Sequence, residues 1–485
     1  MVRVLPVFNV FSIVLMIFAL AMAIPAAIAF FLDDAAQNAY DKAFLITFAA
    51  GLVTWGVTRH ARRELQPRDG FLLVALVWTV LPAFAALPLM IFMPGLSFTD
   101  AYFETVSGLT TTGATVLTKL EELPPSINFW RTFLVWLGGM GVVVLAVAIL
   151  PLLGVGGSQI FKAETPGPMK DAKLTPRIAE TAKGLWGVYA LITLLCILAL
   201  KGAGMTWFDA IMHAFSTMGL GGFAAYDASF GFWDSPAIEA VTILFMVIAG
   251  MNFGTHFLAF RRREFAPYKA DAEAWLFLFV LAASCLGVAW FLLGNNVYPD
   301  FWAALRFASF NVVSIATTTG FANTDYFQWP VFAPVWMLFL CCFVTCSGST
   351  GGGIKMIRAI IMVKQARREL QRIVHPRAYV PVKLADAVVE NNIVFAVLAF
   401  MLVYGGTIII LTMLQTASGL DLVTAASAIV ACINNTGPGL GAVGPAGTYA
   451  VLTDFQTWLC TMAMLLGRLE LMTLIVVFTP GFWRH

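Results

Sequence analysis

The chain has 485 residues, of which 60% are hydrophobic and only 12% are charged. Soluble domains contain roughly 45–50% apolar and about 25% charged residues, so this much apolar surface requires lipid. The 41 phenylalanines and 14 tryptophans exclude a disordered chain, and 7 cysteines are too few for a disulfide scaffold. The net charge of +2 comes from short Lys/Arg clusters between apolar runs, which is not a nucleic-acid-binding pattern. Composition therefore predicts a polytopic membrane protein.

Ten apolar segments predict an all-α fold of ten membrane spans, since about 20 apolar residues cross a bilayer as a helix. They lie near 5–32, 43–58, 71–93, 129–153, 185–200, 237–260, 274–293, 331–362, 388–414 and 456–479. Four shorter segments predict re-entrant helices, because each is too short to span a bilayer. They lie near 98–109, 207–218, 301–316 and 421–433.

The basic residues predict the orientation of the spans. Short loops rich in Lys and Arg face the cytoplasm, and the clusters lie at 59–68, 162–177, 261–269 and 355–383. Every cluster is an even number of predicted spans from the next. The loops around the short segments are instead mostly acidic. We therefore expect those loops to face outward and both termini to be cytoplasmic.

Internal repeats define the predicted architecture. After the first two spans, a pattern of span, short helix, glycine-containing loop and span occurs four times. When the loops are aligned on Gly113, Gly222, Gly320 and Gly437, an alanine stands twelve positions earlier in every repeat, at Ala101, Ala210, Ala308 and Ala425. Serine stands six positions earlier in three repeats, and Ala431 is the exception. Asp100 and Asp209 are predicted to cap the first two short helices.

The repeats predict five units in the chain. An N-terminal helix pair occupies residues 1–68 and is followed by pore repeats at 69–180, 181–268, 269–383 and 384–485. Four parallel units of helix, pore helix, filter loop and helix would close in a pseudo-fourfold arrangement. Each loop would then present backbone carbonyls to a central axis, and rings of carbonyls replace the hydration shell of a cation in potassium filters. Glycines can also serve helix packing instead of a filter. This interpretation is favoured for the glycines of Leu137–Gly141, since small residues let membrane helices approach each other.

These motifs resemble the TrkH-type subunit of the Trk/Ktr/HKT potassium transporter superfamily over essentially the whole chain. The resemblance rests on the filter segments Thr110–Gly113, Thr317–Phe321 and Asn434–Gly439, on Gly348–Lys355 and on Gly467–Gly481. It implies K⁺ coordination by backbone carbonyls before and at each filter glycine. The implied residues are Thr111, Thr112 and Gly113; Leu220, Gly221 and Gly222; Thr318, Thr319 and Gly320; Asn435, Thr436 and Gly437. Glycine rather than serine at position 113 implies K⁺ over Na⁺, while Leu220 and Gly221 depart from the Thr-Thr of the first and third repeats.

Two features predict a gate. The segment 345–353 interrupts the span near 331–362, since three consecutive glycines disfavour a helix. Its residues are Thr345, Cys346, Ser347, Gly348, Ser349, Thr350, Gly351, Gly352 and Gly353. Arg468 lies in the last span, where a charged residue normally faces the protein interior. The resemblance implies that both lie in the ion path, and the alternatives are a packing kink and a structural ion pair of Arg468 with Glu470.

We expect no enzymatic activity and no cofactor in this chain beyond K⁺ ions in the filter. His213 and His256 lack metal-ligand spacing and are interpreted as hydrogen-bonded structural histidines. The resemblance further implies a homodimer in the bacterial inner membrane, surrounded by lipid and docked on a cytosolic TrkA-like nucleotide-binding ring. The expected function is K⁺ uptake through a selective, gated pore. A secondary transporter that couples K⁺ or another solute to H⁺ or Na⁺ remains the alternative.

Overall fold

The computed structural model describes residues 4–61, 66–144, 178–384 and 387–483. The end of the predicted span 129–153 and the basic cluster at 162–177 lie outside these residues, as do Arg62 and Arg63. The described chain is mostly helical. One small antiparallel strand pair joins β1 (Lys383–Leu384) to β2 (Ala387–Val388). The all-α fold class is thus confirmed.

The first two helices form an antiparallel pair on the outside of the first repeat. They are α1 (Leu5–Phe31) and α2 (Gln37–Thr58). The Tyr40 hydroxyl donates a 2.9 Å hydrogen bond to the Ser126 carbonyl, and the Phe18 and Trp130 rings pack with centroids 5.7 Å apart. The pair is therefore attached to the repeats by both polar and apolar contacts.

The remaining helices follow the predicted repeat order. The first repeat contains α3 (Pro67–Ala85), α4 (Leu87–Phe92), α5 (Phe98–Leu109) and α6 (Pro125–Val144); the second contains α7 (Ile178–Gly202), α8 (Trp207–Gly219), α9 (Pro236–Gly250) and α10 (Phe253–Arg262). After α11 (Ala266–Ala270), the third contains α12 (Ala272–Gly294), α13 (Phe301–Ala316), α14 (Phe332–Cys341) and α15 (Met356–Val374). The fourth contains α16 (Asn391–Ala417), α17 (Leu422–Ile433), α18 (Asp454–Arg468), α19 (Met472–Val477) and α20 (Pro480–Trp483). The unit boundaries given above stay a prediction.

Fewer helices than predicted can cross a membrane unaided. Among the described residues, five are long and apolar enough: Leu5–Phe31, Arg68–Phe92, Ala182–Gly202, Ala272–Gly294 and Asn391–Ala417. The pair α9 and α10 is apolar enough when taken together, and its bend of 94° makes it a broken span or a re-entrant segment. The other four predicted spans correspond to α2, α6, α14 with α15, and α18 with α19. Breaks and polar residues in several of these segments explain why hydropathy alone overestimates continuous spanning helices.

The four short helices α5, α8, α13 and α17 are the predicted re-entrant segments, here called pore helices. Their N-caps differ from the prediction in the first two repeats. Ser97 and Thr206 are the caps, and each accepts a hydrogen bond from the backbone N–H of Asp100 or Asp209. The prediction that these aspartates are caps was wrong, because they occupy the third helical position and accept from the capping hydroxyl.

Aspartate caps the pore helices of the last two repeats. Asp300 accepts from the Ala303 amide at 2.9 Å, and Asp421 accepts from the Thr424 amide at 2.9 Å. That hydrogen bond lowers the pKa of the Asp421 carboxyl. Every pore helix therefore begins at an oxygen that satisfies one of its free N–H groups.

The repeats close into a ring. The helix after each filter loop packs against the pore helix of the next repeat: α6 against α8, α9 against α13, α14 against α17, and α18 against α5. The last of these contacts joins the fourth repeat back to the first. Four sequential units therefore surround one central axis, as the repeats predict.

Glycines allow these helices to approach the pore helices closely. A Cβ atom at Gly138 would overlap the carbonyl oxygen of Leu109, at the end of α5. A Cβ at Gly467 would likewise overlap the carbonyl oxygen of Ile433, at the end of α17. Gly139 lies against Gly219 at the end of α8. The packing interpretation therefore holds for Gly138 and Gly139, whose backbone contacts lie at the ends of the pore helices.

Gly138→Ala is expected to destabilise the protein by about 1–3 kcal/mol, because the new methyl group meets backbone that has no room to shift. The matched control is Gly141→Ala in the same helix, where a Cβ would lie 3.6 Å from the Trp78 ring in ordinary contact. Thermal unfolding of the purified protein in detergent measures both variants. Equal melting temperatures for the two would contradict this packing model.

Candidate functional site

All four filter loops share one backbone conformation. The residue two positions before each filter glycine has a positive φ: 53° at Thr111, 53° at Leu220, 61° at Thr318 and 54° at Asn435. The glycines also have positive φ: 83° at Gly113, 62° at Gly222, 90° at Gly320 and 93° at Gly437. Left-handed backbone is costly for residues with a Cβ, so its occurrence at one position in four repeats indicates a common constraint. Leu220 adopts this conformation despite its different side chain.

Hydrogen bonds to the pore helices impose this conformation. The backbone N–H of the residue before each glycine donates to the carbonyl six positions before that glycine. The pairs are Thr112 to Ser107 (2.8 Å), Gly221 to Ser216 (3.0 Å), Thr319 to Ser314 (2.8 Å) and Thr436 to Ala431 (2.8 Å). The bond belongs to the backbone, which explains why Ala431 replaces serine in the fourth repeat without loss of geometry.

The four loops meet in a closed ring. A Cβ atom on each filter glycine would overlap the carbonyl oxygen of the residue before the next filter glycine. The contacts are Gly113 with Gly221, Gly222 with Thr319, Gly320 with Thr436, and Gly437 with Thr112. The fourth contact returns to the first repeat. The structure therefore brings together all the predicted filter residues around one axis.

The ring opens into a cavity on the side of the acidic loops. The cavity has a volume of about 220 Å³ and is lined by all four filter glycines. Arg131 and Asp227 are among its charged lining residues. Asp227 accepts hydrogen bonds from the backbone amides of Lys119 and Leu120 at 2.8 and 3.0 Å. This loop contact joins the first and second repeats at the mouth of the ring.

The predicted gate segment lies on the opposite side of the ring. The helix break extends over residues 342–355, between α14 and α15, and is wider than predicted. The Thr350 hydroxyl donates to the Met218 carbonyl at 2.9 Å, and a Cβ at Gly352 would overlap the Asn434 carbonyl oxygen. Residues 342–355, here called the gate loop, therefore lie directly against the ends of pore helices from the second and fourth repeats. An irregular loop, rather than a kink in a continuous helix, separates the two helices.

Arg468 holds the gate loop from the fourth repeat. Its guanidinium donates a 2.9 Å hydrogen bond to the Thr350 carbonyl, and the side chain is 4% exposed. Within the described chain, its Nε and Nη2 atoms have no hydrogen-bond partner. Glu470 instead pairs with Arg358 at 3.1 Å. The ion-pair alternative for Arg468 is therefore wrong.

Three basic side chains surround a small cavity beside the gate loop. Lys355, Arg358 and Arg468 line it together with Asn435 of the filter. The Lys355 amine donates to the Gly351 carbonyl at 2.7 Å, and the Arg358 guanidinium lies 3.8 Å from the centre of the Phe400 ring. Among the described residues, Glu470 contributes the one carboxylate that lines the same cavity. This concentration of positive charge next to the filter opposes the presence of a cation there.

Comparison with known proteins agrees with this geometry. The family model described as TrkH, cation transport protein, matches residues 36–484. The chain is 44% identical over 481 residues to the Trk system potassium uptake protein TrkH of Salmonella typhimurium, covering 98% of this chain and 99% of that protein. It is 46% identical over 480 residues to the TrkH protein of Halomonas elongata, with 99% of each covered.

A solved structure has the same fold. The crystal structure of the potassium transporter TrkH from Vibrio parahaemolyticus matches with a TM-score of 0.91 and 42% identity, and 99% of each chain is covered. The chain belongs to the TrkH family. It is therefore a member of a transport family rather than an enzyme, as the sequence predicts.

In this TrkH-family protein, sequence analysis missed a set of polar anchors behind the filter. The residue nine positions before each of the first three glycines hydrogen-bonds to the residue three positions after that glycine. Glu104 accepts from the Val116 amide (3.0 Å), His213 from the Ala225 amide (3.4 Å), and Asn311 donates to the Asn323 side chain (2.6 Å). In the fourth repeat, Ser427 accepts from the Leu440 amide at 2.8 Å. The repeat alignment itself contained the signal, since Glu104, His213 and Asn311 share one position in otherwise apolar helices.

Both histidines are structural, as predicted. His213 also hydrogen-bonds through Nδ1 to the Asp209 carbonyl at 2.8 Å. The His256 ring contacts the Tyr268 hydroxyl and the Ile248 carbonyl, at 2.7 and 2.8 Å. The polar partners of His213 are thus two backbone groups, and those of His256 are a tyrosine hydroxyl and a backbone carbonyl.

The strongest anchor is a buried ion pair in the first repeat. Arg131 Nε donates to Glu104 at 2.8 Å, and both side chains are 1% exposed. The same guanidinium donates to the Ala224 carbonyl at 3.1 Å and lies 4.4 Å from the Phe223 ring centre. Ala224 and Phe223 directly follow the second filter glycine. The pair therefore braces the filter strands of two adjacent repeats.

Glu104→Gln is expected to lower the free energy of unfolding by about 3–5 kcal/mol, because it leaves the Arg131 charge buried without its counter-ion. The control is Glu122→Gln, which removes an exposed partner of Lys119 and should change stability little. Denaturant or thermal unfolding compares the two. Similar stabilities would show that the Glu104–Arg131 pair does not brace the filter.

Proposed function

We propose that this protein conducts K⁺ into the cell through a gated pore whose selectivity filter is the ring of four loops. The observation that carries the proposal is the closed contact of each filter glycine with the carbonyl of the next loop. Relatives named potassium uptake proteins, at 44% and 46% identity over nearly full length, support K⁺ as the ion.

Backbone carbonyls are the proposed ligands for dehydrated K⁺. Positive φ at alternate residues allows successive carbonyl oxygens to face the same side of a strand, and carbonyl rings of this kind replace the hydration shell of a cation. The proposed ligands are Thr111, Thr112 and Gly113; Leu220, Gly221 and Gly222; Thr318, Thr319 and Gly320; Asn435, Thr436 and Gly437. The C-terminal ends of the four pore helices point partial negative charge at the same place and favour a cation.

The gate loop and Arg468 are proposed to close this pore. The loop lies against the ends of the pore helices, and Arg468 with Lys355 and Arg358 places positive charge in the same region. Opening would move the loop aside and allow Arg468 to turn away from the path. The two proposed elements share the Thr350–Arg468 hydrogen bond, so they are expected to move together.

A secondary transporter is the alternative, because broken helices such as α9–α10 and α14–α15 also occur in coupled carriers. Carriers are commonly built from two inverted repeats, whereas the ring here has four parallel units. Ion flux into liposomes that contain the purified protein discriminates the two, with K⁺, Rb⁺ and Na⁺ compared with and without a pH gradient. Downhill K⁺ entry that exceeds Na⁺ entry and ignores the pH gradient supports the pore. K⁺ entry that requires an H⁺ or Na⁺ gradient supports the carrier.

We further propose a homodimer in the bacterial inner membrane with both termini cytoplasmic. The basic residues of 355–383 then face the cytosol, where a TrkA-like nucleotide-binding ring would dock. The relatives are described as parts of a Trk system, which fits a membrane subunit with separate regulatory partners.

Gly113→Ser is expected to reduce K⁺-over-Na⁺ discrimination by roughly tenfold or more, because a Cβ at φ 83° would overlap the Gly221 carbonyl and displace a ligand. A shift of that size corresponds to only about 1.4 kcal/mol between the two ions. The control is Gly95→Ser, where a Cβ meets no atom within 4 Å. Relative K⁺ and Na⁺ fluxes are measured in liposomes. An unchanged flux ratio in a folded Gly113→Ser protein would remove Gly113 from the filter.

Arg468→Ala is expected to raise K⁺ flux several-fold, because it removes both a positive charge beside the path and the hydrogen bond to Thr350. Arg468→Lys keeps the charge and should raise the flux less. The measurement is the initial rate of K⁺ entry into liposomes at matched protein content. Flux equal to that of the unmodified protein, with an unchanged melting temperature, would contradict the proposed role in the gate.

A further inference from the structure

The threonines two positions before the first and third filter glycines have different partners. Thr111 and Thr318 share a left-handed backbone and are both fully enclosed, at 1% and 0% exposure. The Thr111 hydroxyl has no hydrogen-bond partner within the described residues. The Thr318 hydroxyl accepts a 2.8 Å hydrogen bond from the backbone N–H of Gly352 in the gate loop. The first and third repeats, which both carry threonine at this position, therefore differ in the hydrogen bonding of its hydroxyl group, and the Thr318 hydroxyl contacts the gate loop.

The Gly352 residue is held on both sides in this position. Its N–H donates to Thr318, and its carbonyl accepts a 2.6 Å hydrogen bond from the Thr345 hydroxyl. The neighbouring Gly351 also lies close to the filter, since a Cβ there would be 3.1 Å from the Thr317 carbonyl oxygen and 3.2 Å from the Thr318 hydroxyl. The gate loop thus fits against the base of the third filter strand with no space for a side chain.

We propose that the Thr318 hydroxyl is a latch that holds the gate loop closed from the filter side. The proposal rests on the gate described above and identifies one filter residue as a positioning residue for it. In the closed position the Gly352 N–H is buried, so loss of its acceptor leaves an unsatisfied donor. When the loop moves away, water in the open path can accept from the same N–H. Removal of the hydroxyl therefore penalises only the closed state and shifts the equilibrium toward the open one.

The latch also gives the filter and the gate a direct connection. Thr318 belongs to the third filter strand, whose next residue, Thr319, has its carbonyl against Gly222 of the second repeat. Any movement of Thr318 when the gate loop opens would therefore act on the residue next to the one that makes the ring contact. The hydrogen bond from Gly352 is the element through which the position of the loop acts on the filter.

The test compares Thr318→Val with Thr111→Val, because valine keeps the shape and the β-branching of threonine but lacks the hydroxyl. Thr111→Val is the control, because it removes a hydroxyl at the same filter position where that hydroxyl has no hydrogen bond to the gate loop. Since one buried hydrogen bond is involved, we expect the K⁺ entry rate of Thr318→Val to exceed that of Thr111→Val by about three- to tenfold. Thr318→Ser keeps the hydroxyl and should return the rate most of the way to that of the unmodified protein.

The outcomes separate the latch from the gate itself. Equal rates for the two valine variants, or a lower rate for Thr318→Val, would overturn the latch, and the gate would stand if Arg468→Ala still raises flux in the same liposomes. If neither Arg468→Ala nor Thr318→Val changes the K⁺ entry rate, the gate and the latch are both overturned. If Thr318→Val is not recovered folded, the pair Thr318→Ala and Thr111→Ala gives the same comparison, with melting temperatures measured alongside. A rate increase in Thr318→Ser equal to that in Thr318→Val would also count against the hydroxyl.

Discussion

The contact between each filter glycine and the carbonyl of the neighbouring loop is the constraint on which the rest of the structure depends. No side chain fits at Gly113, Gly222, Gly320 or Gly437, because the backbone of the next repeat occupies the space of a Cβ atom. The four loops therefore cannot be placed independently. A displacement of one strand moves the carbonyl against which the adjacent glycine packs, so the ring behaves as one unit.

Such a ring needs support from outside, because loops at membrane depth are tolerated only when their polar groups are satisfied within the protein. The pore helices supply the first support through their C-terminal carbonyls, which accept from the filter amides. Polar anchors such as Glu104 and Asn311 supply the second by holding the returning strand. Glycines such as Gly138 and Gly467 supply the third, since they let the surrounding helices contact the pore-helix ends. Burying the charges of Glu104 and Arg131 costs free energy. In return, the pair fixes the positions of the filter strands of two adjacent repeats.

Much of this architecture could be predicted because duplication repeats a weak signal four times. One Thr-Gly turn predicts little, but four turns with alanine twelve positions earlier specify the pore helices and the filter register. Contacts between distant parts of the chain could not be predicted this way. Sequence proximity offers Glu470 as an alternative partner for Arg468, whereas folding brings Arg358 to Glu470 and the Thr350 carbonyl to Arg468. The caps of the first two pore helices were misplaced for a local reason, since Ser97 and Thr206 compete with Asp100 and Asp209 for the same role.

Fusion of four units in one chain permits asymmetry that a ring of identical subunits cannot have. Among the described residues, the third repeat supplies the gate loop, the fourth supplies Arg468, and the second supplies the Met218 carbonyl that accepts from Thr350. Four copies of such a loop would meet beneath the filter, where the space already holds Gly352 against Asn434. A single loop can occupy that space and contact several pore helices at once. In the proposed pore, the near-fourfold backbone geometry of the filter serves to surround one ion path, whereas the region beneath it can diverge because one loop would suffice to close that path.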